Sequence, residues 1–106
     1  MLKIKKIDHI AIAVANIDET LAKYKTAFGL EVSERAVVAS QKTEAALLPV
    51  GETSIELIEP KGNDVLARFL EKKGPGLHHI AIEVEGIEDA LVFLKAIGVP
   101  LIDESP

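Results

Sequence analysis

The chain has 106 residues, of which 48% are hydrophobic, so it can bury one modest core and is too apolar to be disordered. Its formal net charge of -5 gives no support to nucleic-acid binding, and zero cysteines exclude disulfides and thiolate metal sites. No apolar run approaches the roughly 18 residues that span a membrane, so the cytoplasm is the default compartment.

Residues 3–14 read as a strand in which Ile10, Ile12 and Val14 alternate with His9, Ala11 and Ala13. Neither face is strongly polar, so both should be covered. Asp18 reads as the N-cap of an amphipathic helix carrying Ile17, Leu21, Tyr24 and Phe28, and Gly29 suits its C-terminus. Three β-like segments follow at about 30–38, 43–50 and 53–59, with Val50-Gly51-Glu52-Thr53 as the hairpin turn between the last two. Beyond Pro60, Asp64 to Lys73 predicts a short helix closed by Gly74-Pro75-Gly76. A strand at 77–84, a helix at 87–97 ending at Gly98 and a short strand at 99–102 complete the series.

The last three elements restart the first. Residues 9–25 and 79–95 align without a gap at an offset of 70 and share eight of seventeen identities. One residue is then dropped, which brings Gly29 onto Gly98. Internal repetition of this kind specifies two copies of one structural unit. The order is βαβββ, a helical link, then βαβ, within one α+β domain. Module one covers about 3–60, the link helix about 62–74 and a partial module two about 76–106. The meander of the second copy has no counterpart; a complete copy would need roughly 25 to 30 further residues. The remaining open sheet edge would favour pairing with a second copy, so a homodimer is expected.

The chain has three histidines, and two of them, His9 and His79, are repeat-equivalent. Alternate strand residues face opposite sides. If Ile10, Ile12 and Val14 pack under a helix, His9, Ala11 and Ala13 face the other way. In the second unit Ile80, Ile82 and Val84 pack, leaving His79, Ala81 and Glu83 opposite. The small alanines would leave room for a ligand. In SIELIEP, Ile55 and Leu57 pack and Glu56 turns to the histidine face. In TEAALLP, Glu44, Ala46 and Leu48 share a face, which makes Glu44 a second candidate carboxylate. Two imidazoles and a carboxylate suit a divalent transition metal. His78, adjacent to His79, should point to the other face in a supporting or structural role.

The paired βαβββ pattern, with HI opening each module and IEL on the fourth strand, resembles the vicinal oxygen chelate (glyoxalase/bleomycin-resistance) superfamily. DHIAIAV, ALLPVGETSIELIEP, LARFLEKKGPGLHHIAIEV and GVPLIDESP are similar, within it, to the methylmalonyl-CoA epimerase family. That resemblance implies glyoxalase-like paired modules, the second incomplete in this chain. It implies a divalent ion of the Co, Mn, Zn, Ni or Mg class on His9, Glu56 and His79, with Glu44 as one catalytic acid/base. The implied substrate is an acyl-CoA, inverted by removal and return of its α-proton through an enolate. The family's fourth ligand and opposing acid/base lie on a strand without a counterpart here, so the 106-residue form is expected to be inactive alone. A non-catalytic ligand-binding module of the same fold, or a glyoxalase-type isomerase, is the alternative.

Overall fold

In a computed structural model, which describes residues 3–85, eight short elements build one sheet and two helices. In chain order they are β1 (Ile4–Ala13), α1 (Ile17–Phe28), β2 (Glu34–Val38), a 3-10 turn (Ala39–Gln41), β3 (Thr43–Val50), β4 (Thr53–Pro60), α2 (Asp64–Lys73) and β5 (Gly76–Val84). The strands form a single sheet in the order β2-β3-β4-β1-β5. This is the α+β architecture that the periodicities specify. The helix expected at 87–97 and the strand expected at 99–102 lie outside the described residues.

Local chemistry sets the helix ends. α1 is capped by Asn16, whose side chain accepts from the Glu19 N–H; the expected cap, Asp18, sits one residue into the helix instead. From there the Asp18 carboxylate still complements the positive end of the helix dipole. Gly29 ends α1 in the left-handed conformation at φ 68, where a side chain would be strained. β2 begins at Glu34, four residues later than the pattern suggests. The stretch 30–33 is tied to the sheet by Ser33, whose N–H donates to the Leu47 carbonyl at 2.8 Å, and by Leu30, which packs against the α1-side core.

The sheet has a helix on each face. α1 covers a core of Val14, Ile17, Ala46, Leu48 and Leu57, with Ile12, Leu21, Tyr24 and Ile55 around it. α2 covers the opposite face, where Leu66, Phe69 and Leu70 meet Ala11, Ala13, Ala45 and Ile58. Ala11 and Ala13 are fully buried there. Their small side chains let α2 approach the sheet; they do not open space for a ligand, as the sequence had suggested. On β5, Ile80 and Ile82 are 51% and 50% exposed, against the expectation that they pack. The segment expected to cover them is outside the described residues.

The repeat becomes a local pseudo-twofold. β1 and β5 run antiparallel and adjacent, with Ile10 opposite Ile80, His9 opposite Ala81, and Ala11 opposite His79. Under the repeat the Ile10–Ile80 pair maps onto itself, and the His9–Ala81 and Ala11–His79 pairs exchange. The axis therefore passes through the Ile10–Ile80 pair and carries His9 onto His79. Both strands are bulged: Asp8 on β1 and His78 on β5 each lie at a register shift and have no partner across the ladder.

Candidate metal centre

Three neighbouring strands contribute one side chain each. β1 carries His9, β4 carries Glu56 and β5 carries His79. β1 and β4 are parallel with Ala11 opposite Glu56, and Ala11 is also opposite His79. One small buried residue thus has a potential ligand on either side, while His9 stands two residues along the same strand. The His9 and His79 ring centroids are 5.5 Å apart at 78°. His9 Nε2 is 3.8 Å from Glu56 Oε1, and one ligand atom from each of the three residues lies within 4.8 Å of the others.

The donor set fits a divalent ion. Donors bound at about 2.0–2.2 Å to a common centre lie roughly 3 to 3.5 Å from one another, so modest side-chain adjustments close the triangle. Two neutral imidazoles and one carboxylate would leave a divalent ion with a net charge of +1. Burial holds His79 below the usual histidine range, and the neighbouring His78 and His9 push it the same way. The ring is thereby kept in the neutral form that a metal requires.

The cluster opens into a recess of about 590 Å³ lined by His9, Glu56, His79, Gln41 and Ala81. A smaller recess of about 180 Å³ runs beneath α2, between Gln41, Thr43, Ile58, Asn63 and Leu66. Asn63 organises its wall. Its Oδ1 accepts from the Leu66 N–H, capping α2, and its Nδ2 donates to the Gln41 carbonyl and to Thr43 Oγ1. Among the described residues that line the two recesses, Glu56 is the one carboxylate.

The sequence expectation for Glu44 requires correction. β3 and β4 pair with Val50 opposite Thr53, Leu47 opposite Glu56 and Glu44 opposite Glu59. Residues directly opposite share a face. Glu44 therefore lies with Ala46 and Leu48 on the α1 side, across the sheet from His9, Glu56 and His79. Its carboxylate accepts from Arg35 Nε at 2.6 Å and has Lys61 Nζ at 3.5 Å. Arg35 continues to Asp18 at the start of α1, and Lys61 to Glu59 at 2.6 Å. Glu44 belongs to an ion-pair network that fastens α1 to the sheet.

His78 requires a second correction. Strict alternation would turn it away from His79, but the bulge suspends alternation at that point. The His78 and His79 Nδ1 atoms are 2.8 Å apart, and the His78 ring stands edge-on to Phe69 of α2 with centroids at 4.9 Å. His78 also lines both recesses. Asp8, unlike His78, was not singled out by the sequence, although its Oδ2 lies 2.8 Å from His9 Nδ1. A signal for both was present: each directly precedes a repeat-equivalent histidine. Gln41, the chain's single glutamine, carried no such signal.

Comparison with known proteins agrees with the fold. The family model described as Glyoxalase/Bleomycin resistance protein/Dioxygenase superfamily matches residues 8–106. The chain is 38% identical over 92 residues to the mitochondrial methylmalonyl-CoA epimerase of Homo sapiens, covering 85% of this chain and 52% of that protein. It therefore spans about half the length of this human relative. It is 39% identical over 102 residues to the uncharacterised protein YqjC of Bacillus subtilis, covering 95% of this chain and 73% of that one. A solved methylmalonyl-CoA epimerase in complex with methylmalonyl-CoA and NH4+ superposes with a TM-score of 0.89 at 29% identity, covering 98% of this chain and 77% of that one.

Proposed function

Because the chain belongs to the glyoxalase/bleomycin resistance protein/dioxygenase superfamily, we propose that it serves as a divalent-metal-dependent epimerase of methylmalonyl-CoA. The observation that carries this reading is the convergence of His9, Glu56 and His79 from three strands at the mouth of one recess. The likeness to methylmalonyl-CoA epimerases supports the choice of substrate.

The chemistry follows from the substrate. The carbon to be inverted lies between a thioester and a carboxylate, so transfer of its proton to a general base leaves an enolate, and return of a proton to the opposite face completes the inversion. The barrier falls in proportion to how well the site stabilises that developing negative charge. A divalent ion on His9, Glu56 and His79 would supply a Lewis acid for the enolate oxygen. The chain's own contribution is placement. With neutral imidazoles and one carboxylate as its ligands, a divalent ion there would keep a net positive charge toward an anionic acyl group. The 590 Å³ recess can take the malonyl head while the nucleotide end of the thioester remains outside. Gln41, on the recess wall, offers an amide donor to a substrate oxygen. Glu44 has no part in this scheme, since the sheet separates it from the recess.

That position of Glu44 favours one second reading. A carboxylate on the metal face would have distinguished an enzyme from a module that merely holds a small ligand, and Glu44 is not on that face. The two readings separate by metal analysis after dialysis together with deuterium incorporation at the α-carbon of methylmalonyl-CoA in heavy water. In a form of the protein that carries a complete second module, an epimerase retains about one divalent ion per chain and exchanges the α-proton, and H9A or H79A loses both. Metal retention without exchange on any short acyl-CoA would turn the assignment to the ligand-holding module. A parent protein that retains no metal would overturn the metal centre itself.

A further inference from the structure

Both imidazoles at the cluster are held from behind by the residue that precedes them in sequence. His9 Nδ1 lies 2.8 Å from Asp8 Oδ2, which leaves Nε2 directed at Glu56. His79 Nδ1 lies 2.8 Å from His78 Nδ1. Adjacent residues of a regular strand point to opposite faces and cannot make such bonds. They can here because both strands are bulged at the residue concerned. Between the pairs Ile7–Ile82 and His9–Ala81, β1 advances two residues while β5 advances one, and the extra residue is Asp8. Between Ala11–His79 and Ile12–Leu77, β5 advances two residues while β1 advances one, and the extra residue is His78. Positions 8 and 78 are related by the same offset of 70 that relates the two histidines. The pseudo-twofold therefore extends past the cluster to its supports, although the side chains differ: a carboxylate on one strand, an imidazole on the other.

We infer that Asp8 and His78 are repeat-equivalent positioning residues, each placed by a β-bulge to hold Nδ1 of the following histidine and so present its Nε2 to a divalent ion. The inference rests on the metal-centre reading and adds to it a proton arrangement. An imidazole that binds a metal through Nε2 carries its proton on Nδ1 and needs an acceptor there. Asp8 is an acceptor in any case. His78 accepts only if its own Nδ1 is bare and its proton is on Nε2. With a metal on Nε2 of His79, the 2.8 Å contact requires opposite tautomers of two adjacent histidines, Nδ1–H for His79 and Nε2–H for His78. Contact with Phe69 of α2 on its other side keeps the His78 ring from rotating out of that bond.

Two substitutions separate the acceptor from the ring. His78→Asn keeps an acceptor oxygen near the Nδ1 position and loses the ring. His78→Phe keeps an aromatic ring against Phe69 and loses the acceptor. Zinc and cobalt affinities are measured by competition with a chromophoric chelator, on variants whose circular dichroism and melting curves show them folded. Positioning predicts that H78F binds roughly 10- to 100-fold more weakly than the parent, as does D8A, while H78N stays close to the parent. The reverse order, with H78F like the parent and H78N weak, would make His78 a packing residue and overturn the inference. Imidazole nitrogen NMR of the zinc-loaded parent gives a readout that needs no variant. His79 should show a metallated Nε2 and a protonated Nδ1, and His78 a bare Nδ1. His79 metallated through Nδ1 would overturn the inference while leaving the metal centre intact. A parent that binds neither zinc nor cobalt would instead sink the metal-centre reading on which the inference stands.

Discussion

Glu59 anchors the first helix to the sheet through two charge-assisted bonds. Its carboxylate accepts from the Ile17 N–H at 2.8 Å and from Lys61 Nζ at 2.6 Å, with its side chain 15% exposed. Burial works to raise its pKa, but the Lys61 ammonium and the Ile17 N–H outweigh it and hold the group below the usual carboxylate range. A carboxylate depressed in the folded state stabilises the protein fully above its unfolded value, roughly 4.3 for Glu, and the contribution is lost as pH falls through the lowered value. Glu59→Gln keeps an acceptor for Ile17 but loses the charge. It should cost about 1 to 2 kcal/mol at neutral pH. It should also flatten the decline of stability below pH ~5, measured by urea titration at a series of pH values. Parallel curves for parent and variant would disprove the assignment. The position of Glu44 beside Glu59 was itself legible in the sequence. A two-residue turn at Gly51-Glu52 pairs Val50 with Thr53, and that register puts even positions of β3 on the face of odd positions of β4. Alternation within each strand is visible without the hairpin, but only the pairing across it sets the phase between strands, and that phase puts Glu44 on the α1 face and Glu56 on the other.

At the level of elements, periodicity located the strands and helices of the described residues because each has one covered face or stripe that repeats with its own period. What it could not show was where the period breaks. A bulge inserts one residue and leaves no mark in hydrophobic alternation when the neighbours are His, Asp and Ala, so the side-chain directions of Asp8 and His78 came only from the pairing. The same holds for α2, whose apolar stripe was visible but whose docking onto the histidine face was not. That docking depends on Asn63. Its Oδ1 caps the helix while its Nδ2 holds the turn at Gln41 and Thr43. Replacing it with Asp preserves the cap acceptor and removes both donations, turning a carboxylate against two oxygens. Asn63→Asp should cost about 1 to 2 kcal/mol, through two lost hydrogen bonds and a carboxylate set against the Gln41 carbonyl. Asn63→Ala should cost about 1 kcal/mol through the cap plus the lost donations. Thermal melts decide the matter: if N63D were as stable as the parent, the cap alone would be what Asn63 supplies.

Across the whole molecule, the sheet separates two kinds of work. The α1 face carries the ion-pair network of Asp18, Arg35, Glu44, Glu59 and Lys61, whose hydrogen bonds hold the Asp18 pKa down and the Lys61 pKa up. The opposite face carries the histidine cluster, its bulged supports and the recess. Substitutions on the two faces share no partner, so their effects on stability should add. Glu44, with its side chain 14% exposed between Arg35 and Lys61, is fixed to the first face. Glu44→Gln should lower the melting temperature of the metal-free protein by several degrees, following a loss of about 1 kcal/mol in a domain of this size. It should leave untouched the rise that metal produces. That rise is about 2.7 kcal/mol when the free ion stands at a hundred times its dissociation constant. His79→Ala should do the opposite, abolishing the metal-induced rise while affecting the metal-free melt far less. In the double variant the metal-free loss should equal the sum of the two single losses, with no rise on adding zinc. Scanning calorimetry with and without zinc measures all four proteins. A metal-induced rise that fell with Glu44→Gln would couple the faces and return Glu44 to the metal site. An unchanged rise, with H79A flat, would leave Glu44 as the anchor of α1 and the histidine face as the seat of the chemistry.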